Sequence, residues 1–351
     1  MPNFTFFKHK LFVLSLISMF TLTACESEGL FGALIDDNWI EDEVVCDDDT
    51  TTVSFKKVAY WDGDDMDNMD EADYDQLTHL IYGYIQVNAD GSLVELDGDE
   101  EDDFEDMIAT AQGEGVEVLI SIGGDSGDTN LNTIANTSSL RNTFTDNVLE
   151  FVEDYDLDGV DLNWQTPTDD DEGELFEELV EDLSDEMWDE GYIFTISVIS
   201  GVGDDEDYGD VIDSTVFDYV DFVNVRAFDT DNSDDLHSSE QDAIDAIDYW
   251  TGRCVIQNKL VLGIPLYSAG DAVRSYDYIV EDDTDYACVD ESEGRDYNGI
   301  PTVITKTEYA MDYAGGVMLQ SLDLDSYENP LYSLLDVVNE TVDGYDVSIC
   351  D

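Results

Sequence analysis

Eight short apolar runs punctuate the chain, at 53–61, 78–86, 116–122, 159–165, 192–198, 221–227, 259–265 and 316–321. Between them, stretches such as 102–112, 140–154, 172–189 and 239–250 carry apolar residues at helical spacing. In a chain of 351 residues, eight strands with intervening helices favour parallel strands closed into a barrel over an open sheet. The expectation is the α/β class, a (β/α)8 TIM barrel forming a single domain over 53–351. Chemistry then belongs at the carboxyl ends of the strands, where the following loops converge. The longest of those loops, 266–305, carries Tyr267, Tyr276, Tyr278, Tyr286 and Tyr297.

The amino-terminal segment reads differently. Lys8, His9 and Lys10 precede the apolar run 11–20, and Leu22, Thr23, Ala24 and Cys25 follow. This is the pattern of a bacterial lipoprotein signal peptide at 1–24, with Cys25 the lipidated first residue of the mature chain. The run is shorter than the roughly 20 residues that span a bilayer. Residues 25–52 are acidic and aperiodic, a linker between lipid and fold. The expected location is the bacterial cell envelope, periplasmic or surface-exposed, with the membrane touched only through the anchor. In an oxidising compartment the remaining Cys46, Cys254, Cys288 and Cys350 make two disulfides the economical outcome. Spacing does not dictate the pairing. The pairs expected are Cys254 with Cys288 and Cys46 with Cys350, the second tying the two ends of a closed barrel together.

Eighty-eight acidic residues against 11 basic ones leave a formal charge of −77, spread along the chain. Nucleic acid is excluded as a partner, because nothing here neutralises phosphates. Self-repulsion at this density opposes compaction in dilute salt, and about molar salt shrinks the screening length to ~3 Å. The charge therefore reads as adaptation to a saline habitat, with a calcium-rich surface or a highly soluble coat as alternatives. Asp154, Asp156, Asp158 and Gly159 imitate the opening of a calcium loop. The twelfth position holds Gln165 instead of a bidentate Glu, and 159–164 alternates like a strand. The cysteines lack C-x-x-C clustering, and neither His79 nor His237 has neighbours at ligand spacing, so both read as ordinary surface or strand-edge residues. Neither a phosphate-binding glycine loop nor a G-x-S-x-G element is present. No metal and no cofactor is expected.

The fourth run contains the most informative residues, Asp158, Gly159, Val160, Asp161, Leu162, Asn163, Trp164 and Gln165. Side chains alternate faces in a strand, so Asp161, Asn163 and Gln165 share one side and Val160, Leu162 and Trp164 the other. The polar row belongs in the barrel mouth and the apolar row against the helices, which makes Trp164 a core residue. Three polar side chains in a row need one another or a ligand as partners, and a hydrogen-bonded ladder is the structural alternative. This segment resembles the D-x-x-D-x-D-x-E signature of glycoside hydrolase family 18. Ser121, Ile122, Gly123 and Gly124 are similar to the family's S-x-G-G, 262–267 to its seventh strand, and 315–325 to its eighth.

The resemblance implies a chitinase-like barrel in which a glutamic acid protonates the glycosidic oxygen and the substrate's N-acetyl group serves as nucleophile. Gln165 occupies the position of that acid. A carboxamide keeps the shape but has no proton to give, and losing general acid catalysis costs at least about two orders of magnitude in rate. Asn163 replaces the aspartate that orients the acetamide. Phe228, in Arg226-Ala227-Phe228-Asp229, replaces the tyrosine of M-x-Y-D, and Gln320 the tryptophan that floors the sugar subsite. Asp161 and Asp229 match. Arg226 adds a positive charge, either pairing with Asp161 or Asp229 to close the old site or gripping an anionic ligand. Trp61, Tyr84, Tyr267 and Tyr276 are candidate sugar-stacking rings, each with a core-packing alternative. Three functions follow from the resemblance. The first is a non-catalytic binder of chitin or N-acetylglucosamine-containing glycans, like the chitinase-like lectins. The second is a chitinase or endo-N-acetylglucosaminidase whose acid has moved to Asp229 or Asp169. The third is a surface scaffold or protein-binding protein.

Overall fold

The computed structural model describes residues 54–350, apart from 64–65, 125–126, 165–166, 204–208, 230–236, 270–272 and 328. The segment expected to be a signal peptide, Cys25 and the expected linker, together with Cys46 and Gln165, therefore lie outside the described residues. Eight strands form the barrel: β1 Lys56–Trp61, β2 His79–Ile85, β3 Glu117–Gly123, β4 Gly159–Asn163, β5 Ile193–Ile199, β6 Phe222–Arg226, β7 Leu260–Pro265 and β8 Gly316–Gln320. Each pairs in parallel with its neighbours in chain order, and β8 closes on β1. The main helices around it are α1 Gly98–Gly113, α2 Asp128–Ala135, α3 Ser138–Asp154, α4 Asp170–Glu190, α5 Glu240–Gly252, α6 Tyr276–Asp282, α7 Ile300–Tyr313 and α8 Leu334–Val342. All eight expected strands form within a few residues of their expected bounds.

Period-two alternation sorts each strand into two cores. Val58, Tyr60, Ile81, Leu119, Phe222, Val261 and Met318 fill the barrel. Ala59, Trp61, Leu80, Val118, Val160, Leu162, Trp164, Val223 and Leu262 belong to the outer layer, packed with helix residues such as Phe176 and Trp250. Trp164 meets Phe176 edge-on at 5.9 Å, as the strand pattern requires. Gly159 is needed where β4 begins its parallel pairing with β5: a Cβ there would stand 2.1 Å from the Ile193 carbonyl oxygen.

Helix α4 shows how local chemistry sets the frame. Asp169 is its N-cap and accepts from the Glu172 amide at 3.0 Å. Asp170, Asp171 and Glu172 then place negative charge against the positive end of the helix dipole. Phe176, Leu179, Val180, Leu183 and Met187 bury one stripe against the barrel, and Gly191 ends the helix at φ 89°.

One disulfide departs from expectation. Cys288 pairs with Cys350, their Cα atoms 5.4 Å apart. Cys254 is disulfide-bonded as well, but not to Cys288. Barrel closure brings the carboxyl-terminal segment against the excursion between β7 and α7, a proximity that no sequence spacing reveals. Among the described residues no helix is long and apolar enough to cross a membrane.

Candidate functional site

Asp161 is the buried centre of the barrel. Its Oδ2 accepts hydrogen bonds from Tyr60 at 2.7 Å, Ser121 at 2.8 Å and Ser197 at 3.0 Å; its Oδ1 accepts from Thr195 at 2.7 Å and the Asn224 amide at 3.2 Å. Register explains the convergence, since Ser121, Asp161 and Thr195 stand level across β3, β4 and β5, and Ser197 stands level with Asn224. Five donors from four other strands saturate the carboxylate, which burial would otherwise make costly. Burial and the neighbouring Asp161 charge push the Tyr60 phenol far above its ordinary value, keeping it a donor. The polar row on β4 is thus in part the ladder considered from sequence. The donors had a legible signal, single polar residues inside apolar strands, but only register shows that they meet.

Two residues further toward the mouth, Asn163 is buried and its Oδ1 has no hydrogen-bond partner. Its backbone carbonyl lies against Gly123 so closely that a Cβ on that glycine, which has φ 122°, would approach to 2.3 Å. Arg226, two residues beyond Asn224 on β6, stacks its guanidinium 5.4 Å from the Phe228 ring centroid. It forms an ion pair with neither Asp161 nor Asp229, so the expected closing pair does not exist. The Asp161 oxygens are already filled, and Asp229 turns to other partners.

Asp229 sits just past β6 at φ 56°. Its Oδ2 accepts from the Tyr267 hydroxyl at 2.6 Å, and its Oδ1 lies 3.0 Å from His237 Nδ1. That nitrogen is out of line for a hydrogen bond, and His237 Nε2 has no partner. Burial pushes the Asp229 carboxyl up, but the approach of His237, the Tyr267 hydroxyl and the Arg226 charge together outweigh it and hold the group below its ordinary value. Burial, with the Asp229 charge, raises the Tyr267 phenol strongly. His237 is therefore no surface residue: it is buried, with its ring 4.9 Å from that of Tyr267. Nothing in its sequence spacing signals this. His79 is also interior, half-buried at the start of β2 with its ring edge-on to Phe222 at 4.9 Å, and burial lowers it to about 4.

The aromatic candidates separate. Tyr84, at the end of β2, is half-buried against the inner core, its ring seated on Gly124, where a Cβ would come within 2.9 Å. Tyr267 joins the same cluster beyond β7, beside buried Phe228, the two rings 6.3 Å apart. Gln320 ends β8, half-buried, its carbonyl accepting from the Leu266 amide. Trp61 and Tyr276 are corrections: both are fully buried in the outer layer and offer no face to a ligand. Side-chain alternation turns Trp61 away from the barrel interior, where it packs on Tyr82. Asp169, a candidate for a moved acid, has its carboxylate engaged as the α4 cap. Among the described residues no group of three or more His, Cys, Asp or Glu side chains is arranged to hold a metal ion.

Comparison with known proteins bears on this geometry. "Probable chitinase 10" of Drosophila melanogaster is 23% identical across 92% of the chain, which spans only 18% of that relative's length. The GH18 chitinase ChiB from the chitin utilization locus of Flavobacterium johnsoniae superimposes with a TM-score of 0.73 at 26% identity, over 85% of this chain and 98% of that one. A class V chitinase from Nicotiana tobaccum, a Gln-for-Glu mutant in complex with NAG4, superimposes with a TM-score of 0.68 at 18% identity, over 85% and 100% of the two chains. Residues 56–325, from the first barrel strand to the buried Asp325, match the family described as Glycosyl hydrolases family 18, and the chain belongs to that family.

Proposed function

We propose that this barrel is a non-hydrolysing binder of chitin or N-acetylglucosamine-containing glycans. The observation that carries the reading is the state of its two matching carboxylates. Asp161 is saturated by five internal donors, and Asp229 is held by Tyr267 and His237 below the ordinary carboxylate range. Neither is suited to protonate a departing alcohol, and Gln165 has no proton to offer. Tyr84 and Tyr267 remain half-buried at the mouth and supply ring faces for sugars. The Gln-for-Glu chitinase mutant in complex with NAG4 is a precedent for binding with a carboxamide introduced for Glu.

Calorimetry with chitin oligosaccharides in about molar salt, beside a sensitive hydrolysis assay, tests the reading. Binding without turnover is expected. Turnover by the native chain would overturn it in favour of an active hydrolase, and absence of both would favour a scaffold. Restoring the acid with Gln165→Glu alone is expected to leave turnover absent, because Asn163, Phe228 and Gln320 still depart from the family pattern.

The export features complete the proposal. Cys25 carries a lipid, residues 25–52 tether the barrel to a bacterial envelope, and the charge of −77 suits a saline medium. Incorporation of a labelled fatty acid that disappears in Cys25→Ser checks the anchor. A denaturant midpoint that rises steeply with KCl checks the salt dependence.

A further inference from the structure

Every basic side chain in the described fold is engaged except one. Arg141 pairs with Glu178 and Asp182, Arg253 with Asp210, Arg274 with Asp282 and Arg295 with Glu293. Lys56, Lys57, Lys259 and Lys306 donate to Asn258, Asn339, Phe217 and Ser238. Among the described basic side chains, that of Arg226 alone forms neither a hydrogen bond nor an ion pair, although 88 acidic residues compete for 11 basic ones. Its Nε is buried and unpartnered. The guanidinium carbon lies over the Phe228 ring, 5.4 Å from its centroid, a contact that leaves its N–H groups unused.

A half-buried guanidinium whose N–H groups make no hydrogen bond is costly unless a ligand accepts from them, since the nearby Asp229 charge acts on it only through space. The position narrows the ligand. Arg226 lies on the inner face of β6, one layer nearer the mouth than Asn224 and beside the Tyr267 and Asp229 pair. A guanidinium presents a planar fork that matches a carboxylate bidentately. Asn163 Oδ1, the other unpartnered buried atom at this depth on β4, is an acceptor suited to an amide N–H.

We propose that the mouth selects a glycan carrying both an N-acetylhexosamine and a carboxylate, which Arg226 grips. The inference rests on the glycan-binding reading above and specifies its ligand. The carboxylate has two sources in such glycans, a uronic acid ring or a lactyl ether on the hexosamine, and the probes distinguish them.

The test is calorimetry on the full chain in about molar KCl, where screening over ~3 Å leaves only contact electrostatics. Three probes are compared: the neutral N-acetylglucosamine tetramer, a hyaluronan tetrasaccharide, and N-acetylglucosaminyl-N-acetylmuramic acid. At least one acidic probe is expected to bind about tenfold tighter than the neutral tetramer, a single well-formed contact. Arg226→Met is expected to abolish that preference while changing neutral binding less than about threefold, and Arg226→Lys to retain part of it. Neutral binding equal to or tighter than acidic binding overturns this proposal and leaves the glycan-binding reading standing. Equal weakening of all probes by Arg226→Met also overturns it. Failure of every probe to bind overturns both.

Discussion

Tyr60 on β1 donates its phenolic hydrogen to Asp161 on β4 at 2.7 Å, inside the barrel, and its oxygen also meets Ser197 at 2.7 Å. A side chain from the first strand thus reaches the middle of the family's signature, and the carboxylate doubles as a structural bolt. Removing one donor to a buried carboxylate leaves charge undercompensated. Tyr60→Phe is expected to lower stability by about 1–3 kcal/mol. A denaturant midpoint unchanged from the native chain would show that the remaining four donors suffice.

The Asp229 cluster predicts a pH dependence. Its folded value lies below the unfolded one, so the stabilisation is fully present above the unfolded value of about 3.9 and is lost as pH falls through the folded value. The stability gap between the native chain and Asp229→Asn is expected to be flat near neutrality and to shrink below about pH 4. The Asp229 side chain is half-exposed, so the change is small. A gap that widens on acidification would contradict the assignment.

Lys306 on α7 is fully buried, and its Nζ donates to the Ser238 carbonyl, the Ser238 hydroxyl and Asn298 Oδ1. Burial lowers it to about 7, only partly countered by Asp242 and Asp290. The unfolded chain therefore binds more protons than the folded one between about pH 7 and the ordinary lysine range near 10, and stability from this group rises with pH there. Native chain relative to Lys306→Met is expected to gain at most about 1.4 kcal/mol per pH unit across that window. Ser238 also donates to the Ala227 carbonyl at 2.6 Å, so the variant additionally loosens the segment leading to Asp229.

Cys288 and Cys350 close a loop with a sequence separation of 62. Chain-entropy arguments assign such a link about 4 kcal/mol, acting mainly on the unfolded state. The double substitution to Ser is expected to lower the melting temperature clearly and to expose the carboxyl-terminal segment to protease first. Unaltered melting and cleavage would show that the α8 packing alone secures this end.

Rings in the two layers are expected to fail differently. Trp61→Ala empties a fully buried outer-core site and is expected to cost about 3–5 kcal/mol while leaving the proposed glycan affinity of the folded protein unaltered. Tyr84→Ala is expected to cost far less stability and, on the proposed glycan-binding reading, to weaken that binding about three- to tenfold. Paired melting curves and calorimetry check both; a large affinity loss in Trp61→Ala alone would reverse the roles.

The strands were legible because apolar periodicity is a local property, and the inner and outer faces followed from alternation alone. Asp161 and Asn163 could be placed together on the same ground, since a strand's own pattern says which side chains share a face, whereas Arg226 and Tyr84 were named through the resemblance to the family. What escaped the sequence was every relationship between distant segments. Thr195 and Asn224 meet Asp161 through strand register. His237 reaches Asp229 around a loop, and Cys288 finds Cys350 rather than Cys254 once the barrel has closed. Arg226 stands unpaired because strand geometry aims it where both nearby carboxylates are already filled. Local chemistry decides which elements form; the pairing of groups far apart in sequence is settled only when closure brings them within bonding distance.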